Sequence, residues 1–144
     1  MKEANLNCVL DYGKSWAARD GMTVIHYRNI LKESVFTIAP WGNNPESLRL
    51  YESMEAGSIP IFQRVRSRAR NPLTAFGDEF PVPQFETWKK AASYVANMKE
   101  KAVELDQLQA KLVTFWGQFK AKTQTSIAEI IDKSFQKAHG CTDC

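Results

Sequence analysis

The stretch APWGNNPESLRLYESMEAGSIPIF, residues 39–62, does most to restrict what this chain can fold into. It follows SVFTIA, Ser34 to Ala39, whose β-branched and aromatic residues suit a pleated strand, and Pro40 and Gly42 stop that strand. Asn44 reads as a helix N-cap, Pro45 as the first helical residue, and Glu46 lies in the first turn near the positive end of the helix dipole. Gly57 is placed to end the helix in a left-handed conformation. Ser58 to Gln63 then reads as a short buried strand in spite of Pro60. A strand, a helix and a strand within about thirty residues make a βαβ unit with parallel strands, so the stretch predicts an α/β fold.

At about 100° per residue, Leu48, Leu50, Tyr51 and Met54 fall on one side of this helix, and Glu46, Arg49, Glu52, Ser53 and Ala56 on the other. Two explanations fit the polar flank. It is a solvated outer face, with Arg49 and Glu52 as an i,i+3 pair contributing about 0.2–0.5 kcal/mol. Alternatively, it is a ligand face, because the helix start lies past the carboxyl end of a strand, where α/β sheets bind phosphate and ribose. Arg49 suits a phosphate and Glu52 suits ribose hydroxyls. Periodicity alone favours the solvated face.

The rest of the chain supports one domain. Its 144 residues, 44% hydrophobic, supply one core, and a formal charge of +3 selects no partner. Thr23 reads as the cap of a helix with Val24, Tyr27, Ile30 and Leu31 at helical spacing. After Gln63 the spacing predicts a loop of about twenty residues containing RVRSRAR and NPLTAFGDEFPVP, long enough to be functional. A helix is expected from Glu86, with Trp88, Ala91, Ala92 and Val95 on one face. Another is expected over about 101–121, striped by Val103, Leu105, Leu108, Leu112, Phe115, Trp116 and Phe119. A separate last helix is expected over 126–138, with Ile127, Ile130, Ile131 and Phe135 apolar. Residues 1–22 form a loosely assigned leader, 23–122 the α/β domain, and 123–144 a helix and frayed tail.

Other chemistry is weakly supported. Cys141 and Cys144 form a C-x-x-C pair, but a zinc site would need His139 and Cys8 from the far end of the chain, so no metal is expected. Arg64, Arg66, Arg68 and Arg70 concentrate positive charge, yet no aromatic residue interleaves with them to stack bases, and nucleic acid is not an expected partner. A non-catalytic interaction module built on the helical tail remains an alternative. The sequence contains no apolar run of membrane-spanning length and no signal-peptide layout.

The ordered series FTIAPWGNNPESLRLYESMEAGSIPIF resembles the nucleotide-sugar-binding half of exostosin-like, family 47 glycosyltransferases. That pattern is a strand ending in Pro, a Gly, R-x-x-E, and A/G-G-S/C-I-P-V. YRNILKESVFTIAP before it, then RNPL, FETWKKA and LVTFWGQFK after it, extend the likeness over residues 23–137, toward the xylosyl-transferring members of the class. Trp41 departs from the pattern, standing where a small residue is commoner.

The resemblance implies a Rossmann-like C-terminal half of an inverting GT-B enzyme that binds a UDP-sugar and transfers the sugar, xylose from UDP-xylose, to a glycan hydroxyl. By the same likeness Arg49 lies on the diphosphate, Glu52 on the ribose, and Gly42, Asn44 and Ser47 in the phosphate-facing turn and helix start. Arg66 and Arg68 are possible anion contacts. No metal cofactor is implied. The implied partners are the donor, a glycan acceptor and an amino-terminal GT-B domain that 144 residues leave no room for, and the implied compartment is the Golgi. No residue is identified as the general base. The alternative to an enzyme part is a shortened nucleotide-binding or interaction module.

Overall fold

The structure is a computed structural model that describes residues 7–9, 22–41, 47–64 and 72–139. The element order is helix α1 (Val24–Glu33), strand β1 (Phe36–Ile38), helix α2 (Leu48–Ala56), strand β2 (Ile59–Ile61), a 3-10 turn (Pro72–Ala75), and helices α3 (Trp88–Met98) and α4 (Ala102–His139). β1 and β2 pair in parallel, with Phe36 opposite Ile59 and Ile38 opposite Ile61. The predicted βαβ unit is therefore present, with both strands shorter than expected. Thr37 and Ser58 bridge the strands through their hydroxyl oxygens at 2.6 Å.

Local signals hold at several element ends. The Thr23 hydroxyl accepts from the His26 backbone N–H at 3.3 Å, capping α1 as predicted. Gly57 stops α2 with φ at 79°, a left-handed conformation in which a Cβ is strained, and Gln109 of α4 donates to its carbonyl at 2.7 Å. The start of α2 differs. Its N-cap is Ser47, not Asn44, and the first helical residue is Leu48. Asn44, Pro45 and Glu46 lie outside the described residues.

The faces of α2 also need correcting. Leu50 and Met54 are buried as expected, but Leu48 is 76% exposed, whereas Ser53, expected on the polar side, is fully buried. A small hydroxyl is tolerated there because Ser53 Oγ donates to the Leu50 carbonyl at 2.8 Å, leaving no unpaired polar group.

Leu50 and Met54 join Ala39, Ile59, Phe62, Leu73, Phe76, Val82 and Leu112 in the main core. Leu73, Phe76 and Val82 come from the region expected to be a loop, so residues 73–82 act as an apolar strap between sheet and helix. Phe76 is their hub, meeting Tyr51, Phe80, Phe115 and Phe119 at ring-centroid distances of 5.9, 4.9, 5.9 and 4.9 Å. A second cluster joins Ile61, Phe85 and Ala91, with Tyr94 and Val95 of α3 packed against it. Ala92 and Trp88, predicted on the buried face of α3, are exposed, and Met98 is buried instead.

α4 is one helix of 38 residues where two were expected. No proline interrupts residues 119–127, and within the continuous helix Thr123 and Thr125 turn their hydroxyls back onto the Phe119 and Ala121 carbonyls. At 1.5 Å per residue α4 is about 57 Å long. Its first half carries the predicted stripe except Val103, which is exposed: Leu112 is fully buried and Leu105, Leu108, Phe115, Trp116 and Phe119 pack against the core. Residues 121–138 are exposed throughout, including Ile127, Ile130 and Ile131 at 51, 63 and 61%. No described helix is long and apolar enough to cross a membrane.

Candidate functional site

The polar flank of α2 is the candidate site. Arg49 is the second residue of the helix and Glu52 lies one turn on; both are exposed. Connectivity puts them just after the carboxyl end of β1, because α2 is the crossover between two parallel strands. There the backbone N–H groups of a helix start lack intrahelical partners and favour an anion. Ser47, the N-cap, makes no side-chain cap hydrogen bond, so its hydroxyl is not committed to the helix.

Sequence reasoning missed a third member, Tyr27. α1 packs on α2, and the Tyr27 hydroxyl donates to Glu52 Oε2 at 2.7 Å. A carboxylate offers about four lone-pair sites, so this bond orients Glu52 and leaves acceptor capacity for a ligand hydroxyl. Partial burial, and then the hydrogen bond and negative charge of Glu52, push the Tyr27 phenol up to about 12, while the Arg49 guanidinium beside it acts in the opposite sense. The three side chains thus form one electrostatic unit. No local pattern would have found Tyr27, which lies 25 residues from Glu52.

This unit has a pH signature. A phenol with a raised pKa holds its proton more tightly in the fold than in the unfolded chain, so its stabilising contribution is complete below about pH 10 and lost as pH rises toward 12. Spectrophotometric titration of the tyrosines should show a phenol ionising near 12 that disappears in Tyr27→Phe. Tyr94 is also raised, by burial and then by Glu104, so the variant is compared directly with the parent. Identical titration curves would remove Tyr27 from the unit.

A different carboxylate of α2 is structural. Glu55 Oε2 accepts from Trp116 Nε1 and Lys120 Nζ, each at 2.7 Å, and Lys120 lies 5.5 Å from the Trp116 ring centroid. The Lys120 and Trp116 hydrogen bonds hold the Glu55 carboxyl below its ordinary range. Glu55 clamps α2 to α4 and Glu52 faces α1, a division of roles that spacing along the helix does not reveal.

The carboxyl end of the sheet continues past the strands as an ordered ledge. Trp41 Nε1 donates to the Gln63 carbonyl at 3.0 Å, and Gln63 Nε2 donates to the Glu86 carbonyl at 2.8 Å. Gln63 bridges to Phe85, where the Arg64 N–H meets the Phe85 carbonyl at 2.6 Å. Gly42, Asn44, Arg66 and Arg68 lie outside the described residues, as do Cys141 and Cys144. Among the described residues no group of three or more His, Cys, Asp or Glu is placed to hold a metal, and Cys8 is exposed. An open groove of about 410 Å³ between Glu79, Lys111, Phe115 and Gln118 contains none of the predicted donor residues.

Residues 1–136 fit the family model described as the RXYLT1 C-terminal domain, and the chain belongs to that family. The curated relatives it matches are named ribitol-5-phosphate xylosyltransferase 1. The zebrafish (Danio rerio) protein is 24% identical over 95% of this chain and 34% of its own length. The human (Homo sapiens) protein is 26% identical over 76% of this chain and 27% of its own length, and the mouse (Mus musculus) protein 24% identical over 89% and 32%. The chain therefore spans about a third of the length of these relatives. No solved structure matches it.

Proposed function

We propose that the chain is the donor-binding part of an inverting glycosyltransferase that takes xylose from UDP-xylose to a glycan hydroxyl, built as the Rossmann-like C-terminal half of a GT-B enzyme. The observation that carries this reading is the exposed Arg49–Glu52 pair on the first turns of α2, in the crossover of a βαβ unit. Membership of a family whose curated relatives are named as xylosyltransferases supports it.

On this reading Arg49 and the start of α2 neutralise the diphosphate as it becomes the leaving group, without a bound metal. Glu52, oriented by Tyr27, accepts from the ribose hydroxyls. Ser47, with Gly42 and Asn44 shortly before it in the sequence, adds to the diphosphate contacts, while Arg66 and Arg68 draw the anionic donor in. Inverting transfer also needs a general base on the acceptor side, which a second domain supplies along with the glycan site. The chain alone then binds donor without transferring sugar, and the whole enzyme works in the Golgi.

Calorimetric titration with UDP tests the proposal. Arg49→Ala should weaken binding by about 1.5–3 kcal/mol, the usual worth of a hydrogen bond to a charged group, or roughly 10- to 150-fold. Glu52→Gln keeps the size and should lose less. Equal UDP affinity in parent and Arg49→Ala would remove the assignment.

A further inference from the structure

We propose that Trp41 is the platform on which the uracil base of the nucleotide stacks, an inference that rests on the donor-binding reading and deepens it. Trp41 is 44% exposed and lies three residues past Ile38, the last residue of β1. Its indole is nevertheless held in place, because Nε1 donates to the Gln63 carbonyl just beyond β2. Gln63 is held in turn by the bridge to Phe85 and by its amide bond to Glu86. The polar edge of the ring is thus satisfied by the protein, while much of the side chain remains open. A pinned, partly exposed ring loses little conformational freedom when a flat ligand settles on it.

Two apolar side chains at the ends of β1 and α2 share this disposition. Ile38 ends β1 with 56% exposure, and Leu48 opens α2 with 76%. Ile38 and Trp41 thus lie at the carboxyl end of β1, and Leu48 lies at the start of the crossover helix that carries Arg49. A nucleoside diphosphate has the same two parts in covalent sequence: a flat, weakly polar base and a charged diphosphate, joined by the ribose that Glu52 would hold. Stacking is indifferent to the hydrogen-bonding edge of the base, so Trp41 contributes affinity and placement, and discrimination between bases falls to other groups.

The test titrates the parent chain, Trp41→Ala, Trp41→Phe and Arg49→Ala with UDP and with inorganic pyrophosphate, following heat and indole fluorescence. UDP should quench the fluorescence of the parent. Trp41→Ala should bind UDP roughly 5- to 150-fold more weakly, as expected for one stacked base, while keeping the parent's affinity for pyrophosphate. Trp41→Phe, which keeps a ring but not its N–H, should recover most of the UDP affinity and lose the quenching. Arg49→Ala should weaken both ligands. UDP affinity unchanged in Trp41→Ala would overturn the platform and leave donor binding standing. An equal loss for UDP and pyrophosphate would also overturn it, making Trp41 a structural tie to Gln63. If the parent chain binds no UDP, the donor-binding reading falls and the platform with it.

Discussion

Phe76→Ala should destabilise the protein by about 3–5 kcal/mol, as truncation of a buried aromatic does in a core that cannot collapse around the cavity. Phe76 is 5% exposed and its ring meets four others: Tyr51 on α2, Phe80 on the strap, and Phe115 and Phe119 on α4. Three separate parts of the chain therefore depend on one side chain for their mutual packing. The loss reads as a lower denaturant midpoint with an unchanged slope, because the folded and unfolded states keep their relative exposure. A loss below about 1 kcal/mol would mean that the strap is not integral to the core. The consequence for function is direct: α2, which carries Arg49 and Glu52, is set against the strap and α4 through Tyr51 and Met54. Binding at the donor site proposed above should fall with the folded fraction.

Leu112→Ala should cost about 2–5 kcal/mol, while Ile130→Ala, on the same helix, should change stability by no more than about 0.5 kcal/mol. Leu112 is completely buried in the main core and Ile130 is 63% exposed. The comparison isolates burial from helix propensity, because both residues lie well inside α4 and both variants gain the best helix former. Guanidinium denaturation followed by far-ultraviolet circular dichroism would measure it. A large loss in Ile130→Ala would show that the distal half of α4 is packed in solution, and equal small effects would show that α4 is not anchored through Leu112.

How much of this was legible in the sequence differs from element to element. α1, the two strands, the stop at Gly57 and the stripe from Leu105 to Phe119 follow from signals that act within a turn or a pleat: a hydroxyl at a cap, β-branched runs, a residue without a Cβ, and apolar spacing of three and four. The faces of α2 were half legible. Leu50 and Met54 obey the pattern, but Leu48 is exposed and Ser53 buried, because which edge of a helix is covered depends on the neighbours it meets. The long loop was half legible for a related reason: turn-rich composition describes the path of the backbone but does not show that Leu73, Phe76 and Val82 reach the core.

By itself, the sequence determined the βαβ unit and put an arginine and a carboxylate on the first turns of its helix, since caps, glycine and periodicity are local and sterically enforced. Only the tertiary structure decided which carboxylate faces which partner. Glu52 is turned to Tyr27 from 25 residues away, Glu55 is taken by Trp116 and Lys120 from 61 and 65 residues away, and Trp41 is pinned across the strands by Gln63. Those pairings exist only once packing brings distant segments together, because a side chain's partner is set by three-dimensional proximity and the exclusion of water, neither of which is written in the spacing along the chain.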